Sequence, residues 1–226
     1  MEFVFDTRSA NSSFVEMIWY TQSDRAGNFT STAVSNWEIV IATFNGKTKI
    51  SVRGPETKAT QADFPAQAEF FGITFKLGTF MPHLPVKTLR DRQDAILPEA
   101  SSNCFWLDGA AWEIPSFENA YVFINRLICQ GILVRDPVVE AVIKGQTPQI
   151  SIRSLQYRFL QSTGLTHKTI QQIERAHSAV SLLEQGTSIV DTACELGYFD
   201  QAHLTNSLKH LIGRTPTQIT GKNVIP

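Results

Sequence analysis

One face of each of two short segments near the end of the chain carries polar side chains at helical spacing. At ~100° of rotation per residue, these positions lie opposite the apolar residues of the same segment. They are Arg153, Gln156, Tyr157, Leu160 and Gln161 in the first segment, and Ala202, His203, Thr205, Asn206 and Lys209 in the second. Arginine can bond guanine through two donors, glutamine and asparagine can bond adenine, and lysine can hold phosphates. Most of these residue types therefore suit contacts with double-stranded DNA.

The stretch 188–217 predicts the two short helices that would present the second of these faces. Apolar residues recur at helical spacing, namely Ile189, Ala193 and Leu196 in the first helix and Leu204, Leu208, Leu211 and Ile212 in the second. Gly197 ends the first helix, and Asp200 is a start signal for the second. Such a pair is typical of a helix-turn-helix motif, and the alternative is an ordinary pair of core helices.

The second helix of this motif has a counterpart 49 residues earlier in the chain. Residues 155–166 (LQYRFLQSTGLT) align with residues 204–215 (LTNSLKHLIGRT) at three identical positions of twelve. The buried register agrees, since Phe159 aligns with Leu208, and a glycine near the end of each segment coincides. A second helix-turn-helix motif is therefore predicted.

Residues 117–220 resemble the DNA-binding domain of AraC-type bacterial transcription regulators. The resemblance runs through ISIRSLQYRFLQSTGLT, the linking helix IQQIERAHSAVSLLEQG, and SIVDTACELGYFDQAHLTNSLKHLIGRTP. Residues 1–116 are similar to the sensor half of one subgroup of that family, chiefly through WEIV, VRGPET, FGITF and FWLDG. This second resemblance implies a cupin-like β-fold that senses a small molecule or mediates dimerisation.

The family resemblance places base-reading residues on both recognition helices. They are Arg153, Gln156 and Tyr157 on the first helix and Gln201, Ala202, His203, Thr205 and Asn206 on the second. Arg158 and Lys209 are expected to contact phosphates, which position a protein without specifying sequence. The family usually has a basic residue where this chain has Tyr157 and Asn206, so both departures remove a cation. Arg175 resembles an arginine that the family keeps, and it is expected either to contact the DNA backbone or to pair with a carboxylate of its own domain.

The predicted fold class is α+β, with an antiparallel, cupin-like β-sandwich or barrel followed by an all-α domain. Short β-branched and aromatic strands at 37–44, 47–52 and 68–75 are separated by turn signals such as Asn45-Gly46. The β-rich sensor or dimerisation domain is expected to span residues 1–115. The AraC-type DNA-binding domain is expected to span residues 116–226.

Within the helical domain, a long linking helix separates the two motifs. The first helix-turn-helix is predicted at about 136–164, the linking helix at about 168–185 and the second helix-turn-helix at about 188–213. At ~1.5 Å per residue the linking helix spans roughly 25 Å. Two recognition helices joined in this way can enter successive major grooves, about 34 Å apart. The expected partner is therefore an operator with half-sites about one helical turn apart.

The amino-acid composition is compatible with DNA binding but does not by itself predict it. The formal charge of the chain is −1; residues 1–147 carry 13 Lys/Arg against 16 Asp/Glu, and residues 148–226 carry 7 against 5. A weakly basic domain should make few phosphate contacts, so its salt dependence should be shallow. The three cysteines lack paired spacing and are expected to be buried, reduced thiols. No apolar run reaches membrane-spanning length, and a cytoplasmic, nucleoid-associated protein is expected.

Two other classes of function remain as alternatives. A cupin-like enzyme would need a cluster of histidines for a metal, but His83 is the only histidine in residues 1–147. An interaction protein with weakened DNA binding fits the low charge. The prediction is therefore a regulator and not an enzyme, without cofactor or metal and with no assigned ligand site. Its further expected partners are a small-molecule effector, RNA polymerase and a second copy of the chain.

Overall fold

The computed structural model describes residues 3–9, 12–91 and 94–221, and its internal contacts divide the chain into two compact units. Unit 1 comprises Met1–Gly27, Asn36–Pro55 and Asp63–Thr166; unit 2 comprises Asn28–Ser35, Glu56–Ala62 and His167–Pro226. The two N-terminal segments of unit 2, residues 28–35 and 56–62, are called the clip below. The boundary predicted at residues 115 and 116 does not coincide with this division and stays a prediction. Residues 222–226 of the expected DNA-binding domain lie outside the described residues.

Antiparallel β-strands precede a helical region along the chain, as the predicted fold class requires. In chain order the strands are β1 (Phe3–Ser9), β2 (Val15–Ser23), β3 (Gly27–Ser31), β4 (Glu38–Phe44), β5 (Lys47–Arg53), β6 (Thr60–Phe64), β7 (Ala68–Phe75), β8 (Thr79–Phe80), β9 (Ala95–Ile96), β10 (Glu99–Ser101), β11 (Cys104–Leu107), β12 (Ala110–Glu113) and β13 (Val134–Arg135). The largest sheet has the order β1-β2-β7-β4-β5-β9. A three-stranded sheet has the order β10-β11-β12, and β13 pairs with β8. The prediction of fold class is confirmed.

The strands predicted with the strongest signals form the centre of the large sheet. β4, β5 and β7 match the expected runs to within one residue at each end. Asn45 and Gly46 form the turn between β4 and β5 with φ of 51° and 70°, which is the conformation that a two-residue hairpin needs. Ile39 and Ile41 alternate into the main hydrophobic core.

The opposite face of β4 carries a polar cluster around Glu38. Trp19 Nε1–H and the Thr74 hydroxyl donate to Glu38 Oε2 at 3.1 and 3.3 Å, and Arg53 Nη1 lies 3.9 Å from Oε1. Burial raises the pKa of Glu38, against the opposing effects of Arg53, Trp19 and Thr74. Gly72 makes room for the indole, since a Cβ there would come 2.1 Å from Trp19.

The helices follow the sheet segments, and their boundaries agree with most of the sequence signals. They are α1 (Ala120–Cys129), α2 (Pro137–Ile143), α3 (Ile152–Thr163), α4 (His167–Glu184), α5 (Ile189–Glu195), α6 (Gln201–Leu211) and α7 (Pro216–Ile219). A short 3-10 turn at Val86–Thr88 precedes β9. In the part of the chain that the structure describes, no helix is long and apolar enough to cross a membrane.

Helix α1 packs into the core of unit 1, but it is shorter than the ~16 residues expected from its apolar periodicity. It has 10 residues, because Ser116 and Asn119 form a turn in which the Ser116 N–H donates to Asn119 Oδ1 at 2.9 Å.

The three cysteines are free, but Cys129 and Cys194 are exposed. The prediction that they are buried is therefore wrong. On α5, Thr192 and Ala193 face inward, and the next residue is turned outward.

Candidate nucleic-acid interface

The first helix-turn-helix, α2 and α3, lies within unit 1, and an oxygen-bearing side chain caps the start of each helix. Asp136 Oδ1 accepts from the amides of Val138 and Val139 at 2.9 and 3.2 Å at the start of α2. Ser151 Oγ accepts from the Ser154 amide at 3.1 Å at the start of α3. Phe159 is fully buried on the inner side of α3. The opposite side of this helix is therefore held outward by its core residue.

The predicted base-reading residues of α3 are all exposed. Arg153, Gln156 and Tyr157 lie on the outer side of the helix, and 64% of Tyr157 is accessible. Within the described residues, Arg153 has no salt bridge, so its guanidinium is available to a ligand. Their roles in reading bases stay predictions.

Arg158, which the sequence assigns to a phosphate, has an ion-pair partner in the structure. Its Nη1 lies 3.0 Å from Asp136 Oδ2, and the Asp136 side chain is only 9% exposed. The same carboxylate caps α2 through its other oxygen, so Arg158 ties α3 to the start of α2. A guanidinium has five donors. The phosphate contact of Arg158 remains a prediction beside this structural role.

The second helix-turn-helix, α5 and α6, lies within unit 2 and is capped in the same way. Ser188 Oγ accepts from the Asp191 amide at 3.1 Å, and Asp200 Oδ1 accepts from the His203 amide at 2.7 Å. Leu204 and Leu208 are fully buried on the inner side of α6. α3 and α6 thus share an N-terminal cap and a buried inner register. They end at Gly164 and Gly213, with φ of 73° and 77°.

The predicted reading residues of α6 face outward as a group. Gln201, Ala202, His203 and Asn206 are exposed, Thr205 is half-buried, and Lys209 is exposed on the following turn. The sequence did not indicate that Phe199 would be a surface residue. It is 92% exposed in the turn just before the Asp200 cap. An aromatic residue beside a turn is usually expected in the core, so no sequence signal marked it as a surface residue.

His203 is held in one tautomer by the turn before α6. The Phe199 amide donates to His203 Nδ1 at 3.2 Å, and Tyr198 packs edge-on against the imidazole at 5.2 Å between ring centres. Because a backbone N–H can only donate, Nδ1 must be the unprotonated nitrogen. The proton of the neutral ring therefore lies on Nε2, so this position presents a hydrogen-bond donor.

Arg175 on α4 stabilises the turn of the second motif. Its guanidinium lies 4.3 Å from the centre of the Tyr198 ring, and Nη1 donates to the Gly197 carbonyl at 3.4 Å. Arg175 thus contacts a ring and a carbonyl, whereas the expected partner within its own domain was a carboxylate. Lys168 lies two turns earlier and lines a shallow depression with Arg175, Gln171 and Gln172. Lys168 and Arg175 are seven residues apart, which places them on the same face of α4. This spacing is the sequence signal that would have placed Lys168 beside Arg175.

Residues 147–222 match the family model described as a helix-turn-helix domain. The matched range contains α3, α4, α5, α6 and α7, with both candidate recognition helices and the linking helix. This segment is therefore similar to a helix-turn-helix domain, the kind of domain that its sequence predicts. Helix α2 lies outside the matched range. A comparison with curated proteins gives no match.

Three solved structures of ToxT from Vibrio cholerae are similar to the chain over nearly its whole length. One has 13% identity and a TM-score of 0.39, covering 96% of this chain and 98% of that chain. Another, from strain O395, has 10% identity and a TM-score of 0.39, covering 98% and 99%. The third is ToxT bound to (E)-4-(8-methylnaphthalen-1-yl)but-3-enoic acid, with 12% identity, a TM-score of 0.38 and coverage of 96% and 98%. Values this low establish neither a shared function nor a shared ligand.

Proposed function

We propose that the chain is a sequence-specific transcription regulator whose helices α3 and α6 each enter a major groove of double-stranded DNA. The observation that carries the proposal is the duplication of one design. Both helices have an oxygen-bearing N-cap, a buried inner register and an outer face of polar side chains, and both end at a left-handed glycine.

The residues on the outer faces supply different kinds of contact. Arg153 offers a two-donor fork for guanine, whereas His203 offers a single Nε2–H donor for an acceptor on a base edge. Lys209 is suited to a phosphate, which would add affinity without sequence preference. Control of DNA binding by a small molecule or by dimerisation through the β-rich part of the chain belongs to the same proposal.

Selection of bound sites from random double-stranded DNA tests the proposal. With the full chain, we expect enriched sites that contain two conserved blocks, about 10–10.5 base pairs between centres. A single conserved block would mean that only one motif reads sequence. Failure to enrich any site at low salt would overturn the proposal.

A second function, an interaction protein with weakened DNA binding, is favoured by one group of observations. Tyr157 and Asn206 are neutral at outward positions, and Arg158 is already paired with Asp136. A shift assay at increasing salt separates the two functions. Specific binding that survives at moderate salt supports the regulator, whereas weak binding without sequence preference supports the interaction protein.

A further inference from the structure

The last carbonyls of α6 are bonded by backbone amides of the clip, and both partners belong to unit 2. Ala33 N–H donates to the Leu211 carbonyl at 2.7 Å, and Ala59 N–H donates to the His210 carbonyl at 2.8 Å. The last four carbonyls of any helix have no partner within that helix. In α6 the final two are therefore satisfied by segments from the N-terminal half of the chain.

Ala33 is bonded on both sides and so ties two helices of unit 2 together. While its N–H bonds α6, its carbonyl accepts the Nε2–H of His177 on α4 at 2.7 Å. Ala33 is fully buried. Losing the Leu211 carbonyl would therefore leave the buried N–H of Ala33 unsatisfied, whereas the carbonyl of Ala33 is held by His177, which is itself exposed.

The two clip segments are also joined to each other and packed tightly on the end of α6. Val34 and Glu56 exchange two backbone hydrogen bonds of 2.9 and 3.0 Å. A Cβ at Gly213 would come 2.7 Å from Thr30 Cγ2 and 3.1 Å from Ala59 Cβ. A larger residue at Gly213 would therefore have to displace Thr30 of the clip.

The clip holds the end of α6 that is remote from its reading residues. It bonds residues 210 and 211, whereas the predicted base-reading residues lie at 201–206. At ~1.5 Å per residue, the two sets are separated by roughly 6 to 15 Å along the helix axis. DNA and the clip can therefore hold the same helix at opposite ends, so the clip does not occupy the reading surface.

The glycine that ends the first recognition helix, α3, is also packed against an earlier segment of the chain, here within unit 1. A Cβ at Gly164, which ends α3, would come 3.0 Å from the Val86 carbonyl oxygen. Each recognition helix thus has its terminating glycine packed against a segment from the N-terminal half.

We propose that the clip is the positioning element of the second recognition helix. Its bonds to α4 and α6 set the angle at which the reading residues of α6 are presented. This inference rests on the proposed function, because it assigns a part in DNA reading to residues remote from the DNA-contacting face. The DNA-reading unit accordingly includes residues 28–35 and 56–62 as well as the matched helix-turn-helix segment.

The test uses variants of His177 in the full chain and the operator obtained by selection from random DNA. His177→Ala removes the donor to Ala33, whereas His177→Gln keeps a nitrogen donor at a similar reach. We expect His177→Ala to bind the operator about 3- to 10-fold more weakly, with the loss confined to the half-site read by α6. His177→Gln should restore most of this affinity. Ser178→Ala, at an exposed neighbouring position, is the matched control.

Hydrogen exchange in the unaltered protein provides a second measurement that needs no variant. The amides of Ala33 and Ala59 should exchange slowly, and they should remain slow when the operator is bound. Rapid exchange of both amides on binding would overturn the proposal, because the clip would then be released by DNA. Equal binding by His177→Ala and the unaltered protein would overturn it as well. Failure of the unaltered protein to bind any DNA would instead count against the proposed function.

Discussion

The tautomer of His203 allows its two ring nitrogens to be tested separately. Nδ1 accepts the Phe199 amide within the protein, and Nε2 carries the proton of the neutral ring on an exposed residue. Asparagine places Oδ1 near the position of Nδ1 but has no atom at the position of Nε2. His203→Asn should therefore keep the bond from Phe199 and lose the outward donor. His203→Ala should lose both.

The expected magnitudes follow from these two bonds. A single hydrogen bond contributes about 0.5–1.5 kcal/mol, which corresponds to a loss of about 2- to 13-fold at one base pair. The bond from Phe199 lies at the surface, so its net contribution to folding should be about 0.5–1.5 kcal/mol. We expect both variants to lose preference at the same base pair, while only His203→Ala loses stability.

Fluorescence anisotropy with the selected operator and its single-base-pair variants measures the first effect, and urea unfolding measures the second. If His203→Asn retained the full preference at every base pair, His203 would not read sequence through Nε2. If His203→Asn were as unstable as His203→Ala, the structural role assigned to Nδ1 would be wrong.

Four further predictions concern charged residues. Arg153→Ala should weaken operator binding by about 1–3 kcal/mol and relax the preference at one base pair. Lys209→Ala should weaken binding to all sequences equally and reduce the slope of log affinity against log salt concentration by about 1. Titrations at several salt concentrations distinguish the two variants. Arg158→Ala should lower the stability of the protein by about 0.5–1.5 kcal/mol in thermal unfolding, because it leaves Asp136 with its backbone partners only; an unchanged melting temperature with weaker DNA binding would favour the phosphate role. Because burial raises the pKa of Glu38 above its ordinary value of 4.5, the folded state retains a proton that the unfolded state releases, and stability should fall as pH rises from 4.5 through the raised pKa. Glu38→Gln should remove that slope, and an unaltered pH profile of unfolding would contradict the assignment.

Elements encoded by local signals could be predicted from the sequence. The caps Asp136, Ser151 and Asp200 each act on an amide two or three residues away, so the residue type at one position defines a helix start. The hairpin at Asn45-Gly46 depends on two adjacent residues in the same way. In α1 the apolar periodicity continues beyond the helix, and a local turn shortened it.

Features that depend on distant partners could not be predicted in this way. Arg158 pairs with a carboxylate 22 positions away, and from sequence alone it was indistinguishable from a free surface cation. The clip segments are mostly polar, and nothing in them indicates that Ala33 would bond helices more than 140 positions further along the chain. The candidate reading faces could be predicted from the sequence because the same pattern occurs twice in the chain. The contacts of the clip with α4 and α6 have no such repeat and could not be predicted.

The clip also sets an order of events during synthesis. Residues 28–35 and 56–62 leave the ribosome long before α4 and α6 exist, and Ala33 and His177 are separated by 144 positions. Until the helices emerge, the amides of the clip have only water or the wrong strand as partners, which is the usual hazard of an unpaired edge. Closing a loop of this length costs conformational entropy, so the contacts between the clip and the helices should form late in folding. The second reading unit can therefore engage an operator fully only after α4 and α6 have been made.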